Sequence, residues 1–345
     1  MIAQVGVVGA GLMGSEIAQV VSAAGLEVVL LDTDAAALER GIAHVRSIGE
    51  RRVARGRMTA QEVESMLGRV RPTSDDAGLG SCDLAIEAVP EILDVKRGVF
   101  RRLDAVLPPG ALLASNTSGL SISELARETS RPELVLGLHF FNPASVMRLV
   151  EVIQGEATSE GAAAAGEEFA RAVGKTPVRV RECPGFLVNR VLVRALVEAY
   201  REQARVGGER AAADRAVVDE GPAPMGPFAL GDLVGLDTLA HVRGDLIAAY
   251  GDRFDDAGQI AAQVDAGRLG TKSGAGFYDG AAPEAEADES GRAVAGAYYR
   301  GAVDEADRCR AEGIAAEADI DVAMQLGCGW SEGPLAWGRA ERYRG

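Results

Sequence analysis

The sequence predicts an α/β domain built on a mostly parallel sheet, followed by an all-α region present as two tandem copies. Three observations carry that prediction. A glycine pattern, Gly9-Ala10-Gly11-Leu12-Met13-Gly14, sits between a β-branched run and a segment of helical period. Short apolar runs then alternate with helical stretches as far as residue 183. The alanine-rich remainder repeats itself at a constant offset of 107 residues. A chain of 345 residues also exceeds what one small core accommodates and suits two domains.

The first strand is "IAQVGVVGAG", and "EVVLLD" closes the next on Asp32. Strand, GxGxxG, helix, strand and terminal acid together form a dinucleotide-binding, Rossmann-type signature. Gly9 permits the tight turn, Gly11 lets the backbone approach a pyrophosphate, and Gly14 allows close helix–strand packing. Leu12 and Met13 open the helix, whose N-terminal N–H groups face the phosphate. Asp32 would accept from a ribose 2′-OH and repel a 2′-phosphate, so NAD is favoured over NADP.

Further strands are read at "DLAIEAVP" (83–90), "GALLASNTS" (110–118), "LVLGLHFF" (134–141) and "RLVEVI" (148–153). Helices between the earlier ones predict an open sheet covered on both faces. Ligands gather at the carboxyl ends of strands in such sheets. Glu87, Pro90, Ser115, Asn116, Ser118, His139 and Asn142 all fall at or just past those ends.

Pro184-Gly185 breaks this pattern, which places the domains at 1–183 and 184–280. The acidic stretch "GAAPEAEADESG" reads as a linker over 281–296, with a partial second helical copy over 297–345. Across the repeat Glu198 matches Glu305, Asp214 matches Asp321, Gly226-Pro227 matches Gly333-Pro334, and Gly231 matches Gly338. Asn189 falls opposite Gly296, so the second copy lacks that polar group and reads as structural. A helical unit that pairs with its twin from another subunit can instead pair internally, so the chain is expected as a homodimer or as a monomeric pseudo-dimer.

Composition excludes several classes. The net charge of −15 opposes nucleic acid as a general partner, since phosphate repulsion would act over the whole surface. No apolar run reaches a membrane span, and no basic n-region precedes the first strand. Four widely spaced cysteines, Cys82, Cys183, Cys309 and Cys328, form no metal-type cluster and suit a reduced, cytoplasmic protein. Between Arg46 and Arg71 lie seven arginines against three acids. That patch is a solvated helix face or a receptor for a phosphate-bearing ligand. His44 and His241 have no motif around them and read as structural.

Taken together, "GAGLMG", "EAVPE", "SNTS", "GLHFFNP", "LVEVI", "PGFLVNR", "MGPFALGDLVGLDT" and "TKSGAGFY" resemble the 3-hydroxyacyl-CoA dehydrogenase family over residues 2 to about 280. The tail resembles the second helical copy of multifunctional fatty-acid oxidation proteins, without their hydratase part. The resemblance implies His139 as general base and Glu151 as its partner, with Ser118 and Asn189 holding the substrate's reacting oxygens. It implies cofactor contacts at Gly9, Gly11, Leu12, Met13, Gly14, Asp32, Glu91, Lys96, Asn116, Asn142 and Lys272. Arg51, Arg52 and Arg55 are candidates for contact with CoA. Ile92 departs from the asparagine expected after "VPE".

The chemistry is coherent on its own terms. Oxidising a secondary alcohol needs a hydride acceptor, which NAD supplies, and a base for the hydroxyl proton. Histidine titrates near neutrality, and a carboxylate on its other nitrogen fixes the tautomer. Serine and asparagine dipoles stabilise partial charge on the reacting oxygen. Alternatives remain at this point. His139 in an apolar run also reads as a core histidine, Glu151 as a residue pointing outward from an edge strand, and Ser118 as an N-cap of "SGLSISELA". The expected reaction is NAD-dependent interconversion of (S)-3-hydroxyacyl-CoA and 3-oxoacyl-CoA. The rivals are the same reaction on an acyl-carrier-protein thioester, on a free hydroxy acid such as a sugar acid or carnitine, and a non-catalytic fold relative.

Overall fold

Alternating β-branched runs become strands that are buried on both faces. In the computed structural model, which describes residues 2–340, the first unit runs β1 (Gln4–Val8), α1 (Leu12–Ala23), β2 (Glu27–Leu31), α2 (Ala35–Ala54), α3 (Ala60–Gly68), β3 (Val70–Thr73), β4 (Leu84–Glu87), α4 (Leu93–Val106), β5 (Leu112–Ser115), α5 (Ile122–Ala126), β6 (Val135–Phe140), β7 (Leu149–Gln154), α6 (Glu160–Ala172) and β8 (Thr176–Arg181). The sheet order is β3-β2-β1-β4-β5-β6-β7-β8. Only the β6–β7 pair is antiparallel; the other neighbours are parallel.

Strand order reverses between β1 and β4, which makes the switch-point crevice where such sheets bind ligands. Every residue of β4, β5 and β6 is buried, as expected for strands covered on both sides. The edge strands β3, "VRPT", and β8, "TPVRVR", are half-exposed and carry proline and arginine. They lack the apolar continuity that made the central strands readable.

A break between Glu182 and Cys183 separates the first unit from a helical one. The second unit contains α7 (Val188–Val206), α8 (Arg210–Glu220), α9 (Pro227–Val234), α10 (Leu236–Tyr250), α11 (Gln259–Asp265), α12 (Glu289–Ala311), α13 (Glu317–Cys328) and α14 (Pro334–Arg339). The 107-residue repeat is a repeat of interactions. Asp214 accepts the Phe228 and Ala229 N–H groups at 2.8 and 2.9 Å, capping α9. Asp321 accepts those of Leu335 and Ala336 at 2.8 and 3.0 Å, capping α14 in the same way. Proline occupies the first position of both capped helices, where its missing N–H costs nothing.

The stretch expected as linker, 281–296, needs correction: helix α12 begins at Glu289. Asp288 caps it by accepting the Gly291 N–H at 2.6 Å. Three glycines, Gly291, Gly296 and Gly301, weaken the helical signal here. Two have packing reasons. A Cβ on Gly291 would lie 2.5 Å from the Ala212 carbonyl oxygen, and one on Gly301 would lie 2.9 Å from Glu198 Cγ. Glycine lets α12 lie close along α7 and α8. The last five residues of the expected second copy, 341–345, lie outside the described residues.

Burial pushes the Asp214 carboxyl up to about 6, against the backbone N–H groups of Phe228 and Ala229 and the Tyr278 hydroxyl that hold it down. The folded state therefore holds this proton more tightly than the unfolded chain does. That contribution to stability is present at pH below the ordinary aspartate value and is lost as pH rises through about 6. Asp214→Asn is expected to flatten the fall in stability between about pH 4 and pH 6, measured by urea unfolding across that range.

Candidate active site

The glycine loop after β1 shows three separate steric solutions. Gly9 adopts φ +104°, and a Cβ there would also meet the Ala88 carbonyl oxygen at 2.7 Å. A Cβ on Gly14 would lie 1.8 Å from the Gly9 carbonyl oxygen. Gly11 is different: nothing lies within 4 Å of its would-be Cβ. Its bare backbone faces open space, as a loop that admits a pyrophosphate requires. No side chain caps α1, so its first N–H groups stay available to an anion. Leu12 is exposed and Met13 half-buried.

Asp32, just past β2, accepts the Ala10 N–H at 2.8 Å and the Asp34 N–H at 3.0 Å. Its carboxylate thus ties the glycine loop to the end of the second strand. Across the switch point, Lys96 is buried and pairs with Glu87 at 2.7 Å and with Glu91 at 3.0 Å. Glu87 also accepts the Ser115 hydroxyl at 2.6 Å. Glu91 accepts the Ser118 N–H at 3.0 Å and the Thr117 hydroxyl. Asn116 accepts the Phe140 N–H at 2.9 Å, joining "SNTS" to β6.

His139 and Glu151 face one another directly across β6 and β7. His139 is 4 % exposed and Glu151 1 %. β7 is an interior strand of the sheet, so the outward-pointing reading of Glu151 is overturned. His139 Nδ1 lies 2.7 Å from Glu151 Oε2, and its Nε2 lies 3.2 Å from Ser118 Oγ. A carboxylate on Nδ1 places the ring proton there and leaves the Nε2 lone pair toward Ser118. The Phe141 ring, centroid 4.4 Å away, lines the imidazole. Ser118 is not a helix cap: α5 is capped by Ser121, which accepts the Glu124 N–H at 3.1 Å.

The loop after β6 carries exposed Asn142 and is anchored by two residues that the motifs did not single out. Lys175 Nζ donates to the Met147 carbonyl at 2.7 Å and to that of Ala144. Glu16 accepts the Ser145 N–H at 3.2 Å and lies 3.6 Å from His44 Nε2. Burial holds the Lys175 ammonium down to about 8; Glu16 opposes that and Arg52 adds to it. Arg51 and Arg55 are exposed and Arg52 half-buried near the end of α2. Arg51 donates to Ser47 Oγ at 2.7 Å. Asn189 and Lys272 belong to the second unit, Asn189 in the first turn of α7 and Lys272 paired with Asp237.

Two family models match the chain. That of the 3-hydroxyacyl-CoA dehydrogenase NAD binding domain matches residues 4–183, and that of the 3-hydroxyacyl-CoA dehydrogenase C-terminal domain matches residues 185–280. The chain belongs to the 3-hydroxyacyl-CoA dehydrogenase family. It is an NAD-dependent oxidoreductase. A probable 3-hydroxybutyryl-CoA dehydrogenase of Bacillus subtilis (strain 168) is 40% identical over 279 residues, spanning 81% of this chain and 97% of the relative. A 3-hydroxyadipyl-CoA dehydrogenase of Escherichia coli (strain K12) is 41% identical over 277 residues, 80% of this chain and 58% of that protein. The crystal structure of 3-hydroxybutyryl-CoA dehydrogenase from Escherichia coli K12 (substr. MG1655) superposes with a TM-score of 0.91 at 32% identity, covering 99% of this chain and 92% of that one. That similarity extends through the second helical copy.

The residues of this 3-hydroxyacyl-CoA dehydrogenase fit NAD: an open Gly11 backbone, an uncapped α1 and a carboxylate at the end of β2. Asp32→Ala is expected to narrow the preference for NAD over NADP by about tenfold or more, on the order of 1.4 kcal/mol. Initial rates with the two cofactors check this; an unchanged preference removes the ribose role. Among the described residues no helix is long and apolar enough to cross a membrane.

Proposed function

We propose that this dehydrogenase oxidises (S)-3-hydroxyacyl-CoA thioesters such as 3-hydroxybutyryl-CoA to 3-oxoacyl-CoA, reversibly, with His139 and Glu151 as the general base pair. The observation that carries the reading is the buried 2.7 Å contact of His139 Nδ1 with Glu151. Bound at the glycine loop, NAD would supply the hydride acceptor for the carbinol carbon. His139 Nε2 takes the hydroxyl proton, and Glu151 stabilises the imidazolium that forms. Ser118, 3.2 Å from Nε2, is suited to hold the reacting oxygen beside the base. By family resemblance Asn189 supplies a second dipole to that oxygen.

Glu91 and Lys96 shape the wall next to Ser118, and Asn116 fixes the strand that carries His139. With Asp32, Asn142, Lys272 and the glycine loop through Leu12 and Met13, they make up the proposed cofactor contacts. Arg51, Arg52 and Arg55 are proposed to meet the phosphates of CoA.

A panel of thioesters tests the reading, with turnover followed by the absorbance of the reduced cofactor. Oxidation of 3-hydroxybutyryl-CoA or a longer CoA ester supports it. Turnover of carrier-protein thioesters alone, or of free hydroxy acids alone, would move the activity to those substrates. The net charge of −15 disfavours docking of an acidic carrier protein.

A further inference from the structure

Directly after Asn189 comes a fully buried arginine. Arg190 is 0 % exposed, as is Glu305 of α12, and the two meet at 2.7 Å through Nε and Oε1. Both terminal nitrogens of Arg190 donate to Glu312 at 2.8 Å. Its guanidinium also stacks on Tyr250, 4.3 Å from the ring centroid, and donates to the Tyr250 hydroxyl at 3.0 Å. Arg253 covers Tyr250 as well, at 4.6 Å, and reaches Glu305 Oε1 at 3.0 Å. Two cations and two carboxylates therefore balance in the helical unit, Arg190 and Glu305 buried and Glu312 at the surface, and both carboxylates come from the second copy.

The backbone around Arg190 is equally constrained. Gly185 and Phe186 have φ +76° and +49°, winding "PGF" directly into α7. The Arg190 N–H closes that turn on the Gly185 carbonyl at 3.1 Å. Asn189 rides on this turn and is only half-buried. The repeat shows what the second copy kept. Glu305 matches Glu198, but the counterpart of Arg190 is Ala297, just as that of Asn189 is Gly296. Glu198 instead pairs with Arg194 and Arg201 on its own helix. The copy has lost the Asn-Arg pair and retained the carboxylate that faces it.

We infer that Glu305 and Glu312 are positioning residues: through Arg190 they hold the first turn of α7, and with it Asn189, in its working orientation. The inference rests on the proposed role of Asn189. It gives the second copy a part in turnover that its own missing polar residues would not suggest.

The test uses the full-length protein with 3-hydroxybutyryl-CoA and NAD, and a double-mutant cycle between Glu305→Gln and Asn189→Ala. Glu305→Gln is expected to lower kcat by roughly 10- to 100-fold, the cost of a misplaced contact, with KM for NAD unchanged. In the Asn189→Ala background the same change is expected to have no further effect on kcat. Glu312→Gln, at an exposed position, serves if Glu305→Gln does not fold; it should act in the same direction, and Glu312→Asp should recover part of the rate. Lowered thermal stability with unchanged kcat would overturn the inference, as would effects that multiply in the Asn189→Ala background. If Asn189→Ala alone leaves kcat unchanged, the role of Asn189 fails first and the inference falls with it.

Discussion

Replacing His139 with glutamine is expected to lower kcat by about 10²–10⁴-fold, the range for a positioned acid–base group, with NAD affinity unchanged. Glutamine retains a group able to donate toward Glu151 but offers no basic nitrogen at the Nε2 position. Alanine is the cruder variant. It would remove the imidazole that pairs with the Glu151 carboxylate, 1 % exposed, and stability would fall along with the rate. Glu151→Gln should also slow turnover, because an amide does not select the tautomer that frees Nε2. Steady-state rates with 3-hydroxybutyryl-CoA, together with NAD titration by fluorescence, check these outcomes. Retained kcat in His139→Gln would remove the base assignment.

Gly14→Ala is the second large effect, and it acts on binding. The added methyl would lie 1.8 Å from the Gly9 carbonyl oxygen, a backbone atom that no rotamer change can move. Relief requires α1 to shift away from β1, which takes its N-terminal N–H groups away from the phosphate position. Overpacking of this kind costs about 1–3 kcal/mol of stability, so Tm should fall, and NAD binding should weaken as those N–H groups retreat. Gly11→Ala is the informative control. Nothing lies within 4 Å of its would-be Cβ, so folding should be unaffected while the methyl obstructs the cofactor directly. Equal Tm losses in the two variants would show that the distinction between them is wrong.

The readable parts of this molecule are those whose reasons are local. Gly9, Gly11 and Gly14 lie within six residues, and each has its own steric requirement. The central strands announce themselves because both faces are buried. His139 and Glu151 are close in the chain, yet their contact depends on the single antiparallel reversal in the sheet, which no periodicity reveals; the family resemblance was needed to pair them. Ser118 and Ser121 both precede an apolar helical run, and only the folded structure separates the residue beside His139 from the true cap. The start of α12 was hidden by glycines that serve helix packing. Arg190 and Glu305 are 115 positions apart. Their union follows from how the two helical copies pack, which a linear reading does not contain.

The pairing of α7 with α12 lies within one chain, and this changes how it responds to dilution. A helical unit completed by a separate subunit is present in proportion to the concentration of that subunit. Here its counterpart is tethered, at an effective concentration on the order of millimolar for a short connection, however thin the solution becomes. The buried charges around Arg190 therefore stay compensated in a single molecule. Each molecule also carries one Asn189 for its two helical copies, since Gly296 stands at the matching position of the second.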